Sequence, residues 1–359
     1  MSESPINKPD VSADLLRHQT SLKHVLATEF KKPKRTTAYT VNKEVSNESL
    51  DQEELSDLDE NSPATYEATI VCPGCKVENL FQFQTMFEKV TCSKCRSTFR
   101  IPVETEEFIF DKHILEMPLI NIFRAHNKEN DFYGDVVVYE RTEEDESKLG
   151  DLIEVVKKFS QVRVQNYLSP LYFQVDPSAY YISREKAHFP MNLYLKQYGA
   201  LSKSDASTIL NQITHIILSL AKQNIYGDLI PSDLMLNDQG IIQVSDYGLR
   251  NALFTQMNIQ DHLPLSYLAP ETVHQSSRNE ASVVYSLGLL AITLLSGANP
   301  FQELDPEQVE DERENYLENF KDTKLPSFLK LMIKTNPADR PPLMQCGDFF
   351  IRLSRQSKR

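Results

Sequence analysis

The sequence lacks three features that would each place the protein in a broad class. No apolar run approaches the ~18 residues needed to cross a bilayer, and the candidate at Leu287–Gly297 is too short. Positive charge is not in excess: the net charge of −13 argues against a general binder of nucleic acid or of anionic membranes. The first ten residues lack the charged-then-apolar order of a signal peptide. We therefore expect no membrane span and a reducing, cytoplasmic location.

Residues 1–66 lack a sustained apolar period, and their charges are segregated. The segment is basic around Lys31–Arg35, whereas no Lys or Arg occurs from Glu44 to Cys75. Such a composition cannot bury enough apolar area to offset the loss of chain entropy. We predict a disordered arm over residues 1–66, basic and then acidic. The basic run fits a solvated charge run better than a nuclear import signal, and a nuclear location stays open for a eukaryotic source.

Four of the five cysteines form two C-x-x-C pairs, Cys72 with Cys75 and Cys92 with Cys95, separated by 16 residues. A C-x-x-C turn can direct both thiolates at one point, and two such turns complete a closed tetrahedral site. The pattern resembles a zinc ribbon over residues 67–104, with Zn²⁺ in a structural role. Iron or a redox pair are the less favoured interpretations. Zinc ribbons bind nucleic acid or protein, or brace a neighbouring domain, and the acidic surroundings favour the last two.

A longer domain follows, from residue 107 to residue 352. Strand-like runs come first and helical periodicity comes later, which predicts an α+β domain of two lobes. We place a β-rich lobe at about 107–187 and a helical lobe at about 188–352. The runs that carry this prediction are 119–126 and 134–141 for strands, and 202–223 and 325–334 for helices.

Three aspartates, Asp228, Asp233 and Asp246, lie in the stretch 224–248. Turn residues separate short apolar runs there, so the carboxylates are expected on loops at strand ends, where functional residues are common. Together with the motifs around it, this stretch resembles the catalytic core of protein kinases. The motifs that carry the resemblance are Asp228-Leu-Ile-Pro-Ser-Asp233, Asp246-Tyr-Gly, Tyr267-Leu-Ala-Pro-Glu271, the run Tyr285–Phe301, and Asn336-Pro-Ala-Asp-Arg340-Pro.

The resemblance implies a bilobal protein kinase-like fold over residues 107–352 and a role for each carboxylate. In that family, the residue matching Asp228 orients the substrate hydroxyl, and the residues matching Asp233 and Asp246 hold Mg²⁺ with ATP. Asp233 stands where the family has asparagine, so it adds negative charge to the cluster. Two further residues, Glu271 and Arg340, are implied to form an ion pair.

The glycine-rich phosphate cover of the family is missing. It aligns without a gap on residues 114–125, where Leu115, Met117 and Ile120 occupy the three glycine positions. Glycine is needed there because the backbone must approach phosphate closely, and a side chain obstructs that approach.

The lysine of the third strand is missing too. Tyr139 takes its position, Arg141 and Lys148 are the nearest substitutes, and Glu154, the candidate helix glutamate, has no predicted partner. Removing one positioned electrostatic group typically costs about 10²–10³ in rate, so several losses together favour weak or absent catalysis. The further departures are Tyr226-Gly227 for His-Arg, Ile230 for the catalytic-loop lysine, Val283 for the bracing aspartate and Pro264 for a threonine.

Three functions follow, of which the first is favoured. It is a pseudokinase that acts as a regulatory or scaffold module and binds another protein, such as a client, a kinase or a signalling partner. The first alternative is an atypical or weakly active ATP-dependent serine/threonine kinase, with Asp228 catalytic and with Asp233 and Asp246 on Mg²⁺ and ATP. The second alternative, disfavoured by the net charge, is a zinc-ribbon nucleic-acid-binding factor that would use Lys76, Lys89, Lys94, Arg96 and Arg100.

Overall fold

In the computed structural model, the described residues form two compact units, one ending at Tyr139 and one beginning at Glu140. The structure has mixed helix and sheet content. The described ranges are 40–42, 66–72, 75–83, 88–101, 108–117, 119–129, 132–140, 149–175, 179–187, 189–237, 239–257, 265–275, 277–301, 306–318 and 324–356.

The N-terminal unit contains strands that pair in three antiparallel groups, β1-β2-β3, β4-β5 and β6-β7-β8. Their bounds are β1 Thr40–Asn42, β2 Tyr66–Val71, β3 Glu78–Phe83, β4 Lys89–Thr91, β5 Thr98–Arg100, β6 Phe108–Met117, β7 Ile120–Asn127 and β8 Tyr133–Glu140. Strands β7 and β8 fall on the runs from which the sequence predicted strands.

Strand β1 lies inside the segment predicted as a disordered arm. It pairs with β2 in a register that sets Thr40 opposite Thr69. The arm has no apolar period that would predict a strand, and the pairing uses main-chain groups, which sequence patterns report poorly. The rest of the arm lies outside the described residues, so its disorder stays a prediction.

The strands around the cysteine pairs belong to the same compact unit as β6, β7 and β8. Glu116 on β6 connects them: it accepts a hydrogen bond from Arg100, and Lys89 lies 3.1 Å from the same carboxylate oxygen. The ribbon-like module is therefore joined to the first strands of the longer domain by an ion-pair group.

The C-terminal unit holds the helices and the remaining strands. Its strands are β9 Tyr167–Leu168, β10 Pro170–Val175, β11 Ala179–Glu185, β12 Phe189–Pro190, β13 Leu234–Leu236 and β14 Ile242–Ser245. Its helices are α1 Leu149–Ser160, α2 Met191–Tyr198, α3 Lys203–Ala221, α4 Leu249–Met257, α5 Pro270–Gln275, α6 Glu280–Ser296, α7 Pro306–Glu318, α8 Lys324–Met332 and α9 Leu343–Gln356.

Two long helices form the centre of this unit, and local sequence sets their ends. Helix α3 begins after Ser202, whose hydroxyl accepts a hydrogen bond from the backbone N–H of Asp205. Helix α6 begins with a reciprocal capping box between Asn279 and Ser282, and it ends at Gly297, which has a left-handed φ of 87°. Helix α6 is buried along nearly its whole length, as its almost uninterrupted apolar sequence requires.

A four-stranded sheet of order β12-β13-β14-β9 positions the aspartates. Asp233 ends a 3₁₀ turn, Pro231–Asp233, immediately before β13, and Asp246 follows β14 directly. Asp233 and Asp246 therefore lie at strand ends, as predicted, whereas Asp228 lies on the loop before the 3₁₀ turn. None of the described helices has the length and apolar character required to traverse a membrane.

Candidate metal centre and carboxylate cluster

The two C-x-x-C segments fold into matching turns. In each turn, the backbone N–H of the first cysteine donates to the carbonyl five residues later, at 2.9 Å for both Cys72 and Cys92. The residue after the second cysteine is left-handed in both, with φ of 61° at Lys76 and at Arg96. This repeated geometry directs the thiols of both turns towards a shared centre.

The four thiols converge. The Sγ–Sγ distances are 3.5 Å between Cys72 and Cys95 and 3.6 Å between Cys75 and Cys92, and all four sulfur atoms lie within 4.8 Å of one another. Four thiolates about 2.3 Å from a tetrahedral Zn²⁺ lie about 3.8 Å apart. The cluster can therefore hold one metal ion of that size without moving the backbone.

Polar side chains surround the thiols. The amide nitrogen of Asn79 lies 3.6 Å from the sulfur of Cys92, and the amide oxygen of Asn79 accepts from the hydroxyl of Ser93 at 2.6 Å. The hydroxyl of Ser97 lies 2.9 Å from the sulfur of Cys95 and 3.3 Å from that of Cys72. Such outer contacts orient ligands around a metal.

The fifth cysteine, Cys346, is buried in α9, and burial raises the pKa of its thiol to about 12.

The three aspartates of the second cluster are all buried. Their exposed fractions are 1% for Asp228, 0% for Asp233 and 5% for Asp246. Asp246 adopts the left-handed region, with φ of 57°, which turns the chain sharply between β14 and α4. A buried carboxylate must be hydrogen-bonded or paired with a positive charge, so the partners of these side chains decide what the cluster can do.

Arginines pair with all three carboxylates. Asp246 accepts from Arg184 on β11, and Asp233 accepts from both terminal nitrogens of Arg250 on α4, one of them at 2.9 Å. Burial raises the pKa of Asp233 to about 6, and the charge of Arg250 opposes that rise.

The third arginine, Arg278, donates from Nε to Oδ2 of Asp228 at 2.9 Å. The cluster thus contains three carboxylates and three guanidinium groups, and its formal charge is zero.

Asp228 is enclosed further by Asn251, the residue after Arg250. The amide nitrogen of Asn251 donates to Oδ2 of Asp228 at 2.7 Å, and the backbone N–H of Asp228 donates to the amide oxygen of Asn251 at 3.3 Å. The other carboxylate oxygen, Oδ1, is buried and has no hydrogen-bond partner in the described part of the chain. A cavity of about 310 Å³ lies alongside, lined by Asn251, Arg278 and Tyr226 among others, and Asp228 is not part of its lining.

The loop that carries Asp228 is held by contacts that the family resemblance did not predict. The hydroxyl of Ser286 on α6 accepts from the backbone N–H of Leu229 at 2.8 Å. Ser286 lies one helical turn after Val283, the residue at the bracing aspartate position, so it supplies a brace from a neighbouring site on the same helix face.

Gly227 explains one departure from the family pattern. A Cβ atom at this position would lie 2.4 Å from the backbone nitrogen of Gly248, the glycine of the Asp-Tyr-Gly motif. The two loops therefore approach more closely than any residue with a side chain at position 227 permits.

The residues at the missing phosphate cover form an ordinary antiparallel hairpin in the N-terminal unit. Leu115 lies opposite Ile122, and Met117 lies opposite Ile120. Leu115 and Ile120 are buried there, as is Tyr139, which takes the lysine position. Apolar packing thus occupies these positions.

Two further predicted residues can be placed. Glu154 is exposed on α1 and pairs with Lys157 on the same helix at 3.7 Å. Glu271 and Arg340 form the implied ion pair, with two nitrogen–oxygen distances of 2.6 and 3.0 Å. Of the other predicted positions, Arg141, Lys148 and Pro264 lie outside the described residues.

The sequence reasoning missed Arg184, Arg250 and Arg278. Arg184 and Arg278 are 62 and 50 residues from the aspartates they contact, and no local pattern joins them. Arg250 carries a weak signal, because it lies within the first helical turn after Asp246.

Comparison with known proteins agrees with the fold and the motifs. A family model described as the protein kinase domain matches residues 122–348, which is more than half of the 359 residues. The chain belongs to the protein kinase domain family.

Its relatives include serine/threonine kinases. Serine/threonine-protein kinase PLK4 of Drosophila persimilis is 30% identical over 157 residues, covering 41% of this chain and 20% of that protein. Ribosomal protein S6 kinase alpha-1 of Homo sapiens is 29% identical over 121 residues, covering 32% of this chain and 16% of that protein. The chain spans a fifth or less of the length of these relatives.

Proposed function

We propose that this protein is a pseudokinase: a kinase-domain module that binds and regulates another protein and transfers no phosphoryl group. The observation that carries the proposal is the enclosure of Asp228. To orient a substrate hydroxyl, a catalytic carboxylate must come within about 2.6–3.2 Å of it. Oδ2 of Asp228 is bonded to Asn251 and Arg278, and Oδ1 is buried.

The charge of the cluster supports the same proposal. ATP bound with Mg²⁺ brings several negative phosphate oxygens, and kinases hold them with a lysine, a glycine-rich backbone and metal ions. Here three carboxylates are balanced by three arginines, Tyr139 occupies the lysine position, and Leu115 and Ile120 are packed where the glycines would be. Within the described residues, the cluster thus has no net positive charge with which to hold a triphosphate.

Partner binding is supported by the segment after the aspartates. Leu265, in the 3₁₀ turn Leu265–Tyr267, and Val273 on α5 are both exposed apolar side chains. Exposed apolar residues on this segment fit a surface for contact with another protein better than a surface for catalysis. We place the contact with a regulated protein on this segment.

Zinc is the proposed metal of the cysteine cluster, in a structural role. Four thiolates form a closed site without an open position for substrate, and thiolates favour Zn²⁺ over Mg²⁺ or Ca²⁺. Among the described residues these cysteines form no disulfide, which supports a reducing, cytoplasmic location, since an oxidising compartment favours disulfides.

The experiment compares the zinc-loaded protein with Asp228→Asn in two assays, thermal unfolding with millimolar ATP and Mg²⁺, and radiolabel transfer to itself and to a general Ser/Thr substrate. A ligand at 100 times its dissociation constant stabilises the native state by about 2.7 kcal/mol. We expect no shift and no transfer in either protein. Transfer by the unmodified protein that Asp228→Asn abolishes would establish the kinase alternative.

A further inference from the structure

The two carboxylates at the metal positions of the kinase fold already have cationic partners. Arg250 uses both terminal nitrogens on the two oxygens of Asp233, and Arg184 binds Oδ2 of Asp246. Mg²⁺ binds oxygen ligands at about 2.0–2.1 Å in a near-ideal octahedron. An ion at that distance from these oxygens would have to displace the guanidinium groups, so Mg²⁺ does not fit the cluster as it is arranged.

The arginines are poorly placed to move aside. Their exposed fractions are 1% for Arg184 and 2% for Arg250, and a guanidinium group keeps its charge in proteins. An arginine separated from its carboxylate at such a site would be a buried charge without compensation, which is strongly destabilising. Each arginine–aspartate ion pair is therefore far more stable intact than separated.

The two arginines reach the cluster from independent elements. Arg184 comes from β11, whereas Arg250 comes from the first turn of α4 and donates its backbone N–H to the carbonyl of Asp246 at 2.9 Å. The turn that presents Asp246 thus also starts the helix that supplies the cation for Asp233.

The negative charges of Asp233 and Asp246 are already balanced within the chain. Asp233 and Asp246 are close enough that the charge of Asp246 acts on Asp233, and the two arginines neutralise both. In a metal-dependent site, the divalent cation would do this. A divalent ion added here would introduce two positive charges with no carboxylate left to compensate them.

We propose that Arg184 and Arg250 are permanent counterions that replace the divalent cation, so that this cluster binds neither Mg²⁺ nor Mn²⁺, with or without nucleotide. This inference rests on the proposed function, because it concerns the same site. It adds a specific cause: the metal positions are filled from within the chain. It also predicts that removing the two arginines creates a metal site.

The experiment uses Mn²⁺ as the probe and the full chain loaded with zinc. Bound Mn²⁺ is measured by electron paramagnetic resonance, with and without ADP. The variants are Asp246→Asn, which is isosteric and removes the carboxylate from the one metal position where the family also has aspartate, and the double variant R184M/R250M. Arg340→Met is the matched control, because it removes a buried arginine from a carboxylate elsewhere in the same unit.

We expect the unmodified protein and Asp246→Asn to bind Mn²⁺ equally weakly, at surface carboxylates. We expect R184M/R250M to bind at least about tenfold more tightly, in competition with Mg²⁺, while Arg340→Met gains nothing. Binding by the unmodified protein that Asp246→Asn removes would overturn the inference, even where the double variant fails to fold. A folded double variant without the gain would overturn it as well.

The proposed function and this inference can fail separately. Mn²⁺ binding that depends on Asp246, without any phosphoryl transfer, would remove the inference and leave the pseudokinase proposal standing. Phosphoryl transfer that depends on Asp228 would remove the pseudokinase proposal directly.

Discussion

The cysteine cluster and the aspartate cluster differ in what balances the negative charge of their side chains. Each gathers side chains that are anionic when they bind metal, and each sits on tight turns between short strands. The four thiols converge on one another, with Asn79 and Ser97 as neutral polar neighbours. The three aspartates instead point at Arg184, Arg250 and Arg278. Ligand spacing alone therefore does not distinguish a site that needs an external cation from one that is already neutral.

The largest expected effect concerns the cysteine cluster. Cys92→Ser removes a buried ligand, and we expect loss of bound zinc and of the fold around β2–β5, because a structural Zn²⁺ contributes about 10–16 kcal/mol in small zinc modules. Zinc content by mass spectrometry and far-UV circular dichroism measure the two losses. Cys346→Ala, a buried cysteine outside the cluster, should keep full zinc content. A Cys92→Ser protein with stoichiometric zinc would refute the assignment.

The second largest effect is expected in the aspartate cluster, and it tests whether the arginine–aspartate ion pairs stabilise the fold. Arg250→Met leaves the carboxylate of Asp233 buried without its cation, and we expect a loss of about 3–5 kcal/mol in the free energy of unfolding. Adding Asp233→Asn should recover part of that loss. Urea unfolding followed by circular dichroism measures both, and the Arg340 and Glu271 pair, changed in the same way, is the structural reference. Little loss in Arg250→Met would mean that Asp233 has another counterion.

A smaller effect is expected in the pH dependence of the free energy of unfolding. Burial raises the folded pKa of Asp233 to about 6, above its unfolded value, so the folded protein takes up a proton as the pH falls through 6. The stability of the unmodified protein relative to Asp233→Asn should therefore increase by roughly 1 kcal/mol from pH 7 to pH 5. Taking the difference cancels effects of pH that are common to both proteins, such as thiol protonation. A difference independent of pH would show that Arg250 holds Asp233 ionised throughout.

The smallest effect lies at the edge of the ribbon-like module. Glu116→Gln removes the partly exposed ion pairs with Lys89 and Arg100, and we expect a loss of at most about 1 kcal/mol, with zinc content unchanged. Thermal unfolding and zinc analysis measure this variant. Loss of zinc would mean that the thiol cluster depends on charges around it, as the aspartate cluster does.

Sequence reasoning succeeded where the determinants are local. The spacing of Cys72, Cys75, Cys92 and Cys95 predicted one four-thiol group, because two turns of identical form fold each pair towards the same point. The helical period predicted α3, and the alternation of turn residues with apolar runs correctly predicted that Asp233 and Asp246 lie at strand ends and that Asp228 lies on a loop. The pairing of Glu271 with Arg340 followed from the family resemblance and is confirmed.

The counterions of the aspartates could not be predicted in the same way. Arg184 and Arg278 reach the cluster only through tertiary packing, and nothing in their flanking residues distinguishes them from arginines on a surface. Helix α4 was not predicted either. Its sequence has a weak amphipathic pattern, and contacts of Arg250 and Asn251 with the aspartates hold its first turn in place. Burial, which gives these charges their importance, is a property of the whole fold.

The close approach of Gly227 to Gly248 limits which residues position 227 can hold. Restoring the family's arginine at position 227 would drive a side chain into the backbone of the Asp-Tyr-Gly turn, since even a Cβ atom would sit 2.4 Å from a main-chain nitrogen. An arginine at position 227 fits only if the two loops separate, and that separation would disturb the hydrogen bond from the backbone N–H of Asp228 to Asn251. A single-residue change of Gly227 to arginine should therefore damage the fold before it could restore a function.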